Sequence, residues 1–125
     1  MSKSVDMELK KAFTDLQHMM LETTQKLKLA DVQIESLKRA KQRAELTSRE
    51  IKSLSDDTKT YESVGRMFIL TPVSTVLQNL GAKSVTCSEK IKTLEGNKSY
   101  LEKTLKESEN NLREMVQQRK ERAEK

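Results

Sequence analysis

The sequence predicts a mostly α protein, a long antiparallel two-helix coiled coil with one β-hairpin at its centre. Three observations carry that expectation. Apolar residues are only 34% of the 125 and aromatics 3%, too few to offset the entropy of ordering a conventional globule. Those apolar residues are nevertheless spaced by sevens through both halves of the chain, a regularity that a disordered tail does not need. The only strand-like run, Tyr61 to Leu70, sits midway with Pro72 just after it.

The first arm is expected over residues 5–45. Sevens counted from Leu9 give Leu16, Thr23, Ala30, Leu37, Ala44 and Ile51. Offset by four run Phe13, Met20, Leu27, Ile34 and Lys41, so the two rows are the d and a positions of a heptad. Lys38, Arg39, Lys41 and Arg43 form a basic cluster. If the helix ends near them, cations beside its negative C-terminal dipole account for it.

Residues 47–71 are expected to form a short helix and the hairpin. Thr47 with Glu50 has the spacing of a capping box, starting a helix through Leu54 that Ser55-Asp56-Asp57 closes. Tyr61 to Val64 and Arg66 to Leu70 read as two strands turning near Gly65, the residue that tolerates positive φ. A lone two-stranded hairpin is marginal in water, so the Met67-Phe68-Ile69-Leu70 run needs partners, copies or relatives of itself.

The second arm is expected over residues 72–121, with Thr71 as N-cap and Pro72 at the first helical position. Val73, Leu80, Cys87, Leu94, Leu101, Ser108 and Met115 form one row; Leu77, Ser84, Ile91, Lys98, Leu105 and Leu112 form the other. The register passes Gly81 and Gly96-Asn97 without a skip, so the helix continues at roughly 1 kcal/mol of lost propensity per Gly. Folded back, the arms would be about 60–70 Å long. Placing the polar seam residues Thr23 and Lys98 in one layer sets Ala30 against Ile91, Ile34 against Cys87, Leu37 against Ser84 and Phe13 against Ser108. Small then faces large in each.

Several function classes are excluded by the same reading. The net charge of +5 is spread among Glu residues as on a solvated helix face, without the dense basic extension of a nucleic-acid-binding coiled coil. Cys87 is the only cysteine, which rules out an intrachain disulfide, points to a reducing compartment and suits a small seam residue. The N-terminus lacks a signal-peptide core, and Met67 to Leu70 is far too short to span a membrane, so a soluble protein of cytosol or nucleus is expected. His18 and Cys87 cannot complete a zinc set. Asn97-Lys98-Ser99 matches a glycosylation triplet without a secretory route, and Gly81-Ala82-Lys83-Ser84 has the wrong spacing for a phosphate loop. No residues converge as a catalytic centre, so the chain reads as a non-enzyme without cofactor or metal.

The arm tips are the candidate binding ends. They carry Val5, Leu9, Phe13, Met19 and Met20 from one terminus and Leu112, Met115 and Val116 from the other. Coil ends splay readily, and Met adapts to varied apolar surfaces, so an opened tip could clasp exposed hydrophobic segments. Leu9, Phe13, Met20, Leu112 and Met115 hold a or d positions and are first of all packing residues. Val5, Met19 and Val116 lie beside the seam and are the better contact candidates. Met7, Leu21, Leu29 and Val32 share an off-seam face of the first arm, where single exposed apolar residues are ordinary.

Five stretches in this order resemble the β-type subunits of prefoldin: Val5 to Thr14, Lys28 to Glu35, Tyr61 to Leu70, Lys98 to Glu102 and Asn111 to Met115. The resemblance covers nearly the whole chain, with Pro72 and Gly96-Asn97 as local departures. It implies a heterohexamer of α- and β-type prefoldin subunits in which Tyr61, Val64, Gly65, Met67, Phe68, Ile69 and Leu70 join a β-barrel. It further implies that the coiled-coil tips capture unfolded proteins, actin and tubulin foremost, and pass them to the cytosolic chaperonin without ATP. No nucleic acid and no membrane is implied. A structural or tethering coiled coil is the alternative, and it leaves the hairpin without a role.

Overall fold

The computed structural model describes residues 2–124, with side chains over residues 7–123. Helix α1 runs Ser2–Lys52, strands β1 and β2 span Thr60–Val64 and Met67–Thr71, and helix α2 runs Val73–Glu124. Two compact units result, one of Met1–Asp31 with Glu95–Lys125 and the other of Val32–Leu94.

Helix α1 is longer and less interrupted than expected, and α2 is continuous as expected and ends at Glu124, beyond residue 121. Residue 45 is no boundary, and α1 continues through Thr47 to Lys52. Thr47 does not cap: its hydroxyl donates to the Arg43 carbonyl one turn back at 2.8 Å, the bond a mid-helix threonine makes. The real end is tightened by bonds three residues apart, Ser53 N–H to Glu50 O and Leu54 N–H to Ile51 O. In α2 both Gly81 and Gly96 are helical, as the unbroken heptad count requires.

Thr71 is likewise not the cap of α2. It ends β2, and its hydroxyl donates to the Ile69 carbonyl at 3.0 Å. The Pro72 carbonyl accepts the first bond of α2, from Val76 N–H, so the helix begins one residue later than expected.

In the unit Met1–Asp31 with Glu95–Lys125, the helix segments are antiparallel: Glu8 meets Arg119 and Asp31 meets Lys98. The seam is narrow, with Thr23, Ala30 and Leu112 buried and Leu16, Leu27, Leu101 and Leu105 half-buried. Thr23 does not share a layer with Lys98. Lys98 Nζ instead lies 2.6 Å from Asp31 Oδ1, eight residues, or about 12 Å, further along α1. The unit Val32–Leu94 has the same offset: Ser84 Oγ donates to Glu45 Oε1 at 3.4 Å, eight residues beyond Leu37. Ser108, expected opposite Phe13, lines a groove with Leu16 and Met19. The layer scheme built on Thr23 and Lys98 is therefore displaced by one heptad. The reason is chemical: a seam ammonium is served better by a carboxylate than by a hydroxyl, because a charge-assisted bond is the stronger one.

Val32–Leu94 also contains the hairpin and the best-buried apolar residues, Ile34, Ala44, Val73, Val76 and Cys87. The strands pair antiparallel from Thr60–Thr71 to Val64–Met67, one residue beyond the expected span at each open end. Gly65 has φ +62° and, among the described residues, no non-glycine residue has positive φ, so Gly65-Arg66 is a two-residue turn of type II′ character.

Candidate functional site

Two places carry the sequence-predicted site residues: the hairpin in one unit and the helix ends in the other. In the hairpin, alternation sorts the side chains onto two faces. Tyr61, Ser63, Phe68 and Leu70 share one face, and Glu62, Val64, Met67 and Ile69 share the other. Tyr61, Val64, Met67, Phe68, Ile69 and Leu70 are all exposed, Phe68 at 73%. Six large apolar residues within ten, all wet, are a patch of the kind that marks an interaction site. Both strand edges are also open, since the sheet has only these two strands.

The hairpin makes polar contacts, to helix α2 and within itself, that sequence reasoning missed. Asn79 Nδ2 on α2 donates to Glu62 Oε1 at 3.0 Å, which ties the Glu62 face to the helix and leaves the Tyr61–Phe68–Leu70 face outward. At the open end, Thr60 Oγ1 donates across the ladder to the Thr71 carbonyl. The available signal was Glu62 itself, the one acid in the hairpin sequence.

At the helix ends, burial departs in part from the expected seam positions. Leu112 is buried and Leu9 half-buried, as seam positions require. Phe13 and Met20, assigned to the seam, are exposed at 45% and 39%, while Ala12 and Met19 are half-buried in their place. Met115 is exposed and Val116 half-buried, the reverse of the expected order. The cause is periodicity. A helix of 3.6 residues per turn drifts against a strict seven-residue repeat, and a change of spacing rotates the next pair inward. Ala12-Phe13 and Met19-Met20 are both apolar doublets, so the sequence permitted either choice.

Ala12, Asp15, Leu16 and Met19 with Ser108, Asn111, Leu112 and Met115 line an open groove of about 320 Å³. Phe13 and Met20 flank the seam on the solvent side. Arg119 Nη2 meets Glu8 Oε2 at 3.2 Å, latching the last turns together. Val5 lies outside the residues whose side chains are described. Met7, Leu21, Leu29 and Val32 are exposed as expected from their off-seam positions.

Cys87 is buried and His18 exposed. Among the described residues no group of His, Cys, Asp and Glu could hold a metal ion, and no helix is long and apolar enough to cross a membrane.

Comparisons with known proteins agree with this geometry. A family profile described as prefoldin subunit matches residues 14–119. Prefoldin subunit 1 of Mus musculus is 53% identical over 120 residues, covering 96% of this chain and 98% of the relative. Prefoldin subunit 1 of Homo sapiens is 52% identical with the same coverage, and that of Arabidopsis thaliana is 42% identical over 86% of this chain and 84% of its own. Among solved structures, the prefoldin β subunit from Thermococcus strain KS-1 superposes with a TM-score of 0.70 at 23% identity, covering 86% of this chain and 90% of that one. The chain therefore belongs to the prefoldin family of chaperone subunits.

Proposed function

We propose that this chain is a β-type subunit of a heterohexameric co-chaperone. Its hairpin joins those of α- and β-type prefoldin subunits in a shared β-barrel, and its helix ends capture unfolded polypeptides. The observation that carries the assembly role is the exposed hairpin, Tyr61 to Leu70, with two open edges and an outward Phe68. Neighbouring strands would satisfy the edge N–H and C=O groups, and burying one such side chain gains about 1.5–3 kcal/mol. A tethering coiled coil has no use for this patch.

Capture at the helix ends rests on Phe13, Met20 and Met115, which are apolar and exposed, with Met19, Leu112, Leu9 and Val116 in the groove and seam beside them. Weak contacts of this kind become effective when several arms engage one chain. The clients proposed are actin and tubulin, handed to the cytosolic chaperonin without ATP, in the cytosol. Co-expression with partner subunits followed by native mass spectrometry tests the assembly role. Phe68→Asp or Ile69→Lys is expected to abolish incorporation while helix content by circular dichroism stays intact. Normal incorporation of both variants would refute it.

A further inference from the structure

The basic cluster on α1 lacks the explanation that a helix end would have provided. Lys38, Arg39, Lys41 and Arg43 lie well inside a helix that continues to Lys52, whereas the end dipole acts only over the last turn. Lys41 is half-buried in the seam row, but Lys38, Arg39, Arg43 and Arg49 are exposed. Among the described residues none of these four takes part in an ion pair. Arg39 and Arg43 are four apart, a like-charge spacing that disfavours the helix in isolation. Glu45, two residues beyond Arg43, accepts from Ser84 instead.

Leu46 sits at the centre of these cations, 52% exposed. Arg43 and Arg49 stand three before and three after it, and Arg39 two turns before it on the same outward face, with Glu50 four after it. An exposed apolar side chain set among arginines without ion pairs is the complement of an acidic segment with an apolar anchor. We propose that the outward face of α1 around Arg39, Arg43, Leu46 and Arg49 binds an acidic helical segment of another protein, its carboxylates on the guanidinium groups and one apolar residue on Leu46. A nucleic-acid strand fits less well, because its phosphate backbone would leave Leu46, the exposed apolar side chain of the patch, uncovered. This surface is distinct from the helix ends and does not depend on client capture.

The test uses the full chain assembled with its partner subunits and a labelled, alanine-based peptide of about four helical turns. The peptide carries Glu residues on one face around a single Leu, and binding is read by fluorescence anisotropy at about 0.15 M salt. Saturable binding is expected, weakened about tenfold or more by Arg39→Glu with Arg43→Glu. Leu46→Ser, or Leu to Ser in the peptide, should weaken it about tenfold as well. Circular dichroism checks that both variants keep their helix content. Four results would overturn the proposal: no binding, equal binding by the variants, tighter binding of duplex DNA than of the peptide, or binding by the isolated chain but not by the assembly.

Discussion

Lys98 and Asp31 form the shortest ion pair described in this protein, Nζ to Oδ1 at 2.6 Å, and the pair sets the register of the helix ends. The hydrogen bond that Lys98 donates to Asp31, and then the charge of that carboxylate, hold the Lys98 ammonium above its ordinary pKa, with Glu102 and Glu95 adding to the effect and desolvation opposing it. A cation whose pKa is raised by folding contributes stability that is complete below the unfolded value, about 10.4 for lysine. That contribution is lost as pH rises through the folded value. Asp31→Asn should therefore melt below the parent at neutral pH, and the difference should close in strongly alkaline buffer. Melting curves of both proteins across that range check it, and a gap that widens with pH would contradict the assignment.

Much of this architecture was legible in residue spacing, and the failures have identifiable physical causes. The hairpin announced itself through Tyr61, Val64, Phe68 and Ile69 around Gly65, because few other structures suit β-branched and aromatic residues next to a positive-φ turn. The seam rows near Thr23, Ala30 and Ile34 were equally plain. What spacing could not resolve was a choice between chemically similar partners. Lys98 was paired by polarity with Thr23, whereas its charge selected Asp31. Thr47 has the same spacing to Glu50 whether it caps a helix or bonds back to Arg43 within one. The doublets Ala12-Phe13 and Met19-Met20 offer two seam choices of nearly equal hydrophobicity. Each ambiguity is settled by tertiary context.

Gly81 and Gly96 offer a route to a more stable protein. Both lie inside α2, and a Cβ built on either meets no atom within 4 Å. Alanine then restricts the unfolded chain without straining the folded one. Each of Gly81→Ala and Gly96→Ala should add up to about 1 kcal/mol, raising the melting temperature by a few degrees. Calorimetry of the single and double variants checks this, and the sites are far enough apart in sequence for their effects to add.

Gly65 should respond in the opposite sense. Nothing lies within 4 Å of its Cβ position either, but its φ is +62°. A side chain there costs about 1–2 kcal/mol through backbone sterics alone. Gly65→Val should therefore loosen the hairpin and lower the yield of assembled complex, measured by size-exclusion chromatography of co-expressed subunits. Gly65→Asn should be tolerated much better, since Asn visits the left-handed region.

Burial at the helix ends separates seam residues from exposed apolar ones. Leu112 is buried in the seam, so Leu112→Ala should cost about 2–3 kcal/mol and lower the melting temperature. Phe13 is nearly half-exposed beside that seam, so Phe13→Ser should change stability by less than about 1 kcal/mol. If exposed apolar residues are what a non-native chain meets, Phe13→Ser with Met20→Ser should nevertheless weaken suppression of aggregation of a denatured client by the assembled complex. Raising the salt concentration should leave that suppression nearly unchanged, because screening acts on charges and not on apolar burial. Full suppression by the double serine variant, or its loss at moderate salt in the parent, would move client contact away from Phe13 and Met20 and onto the charged faces of the helices.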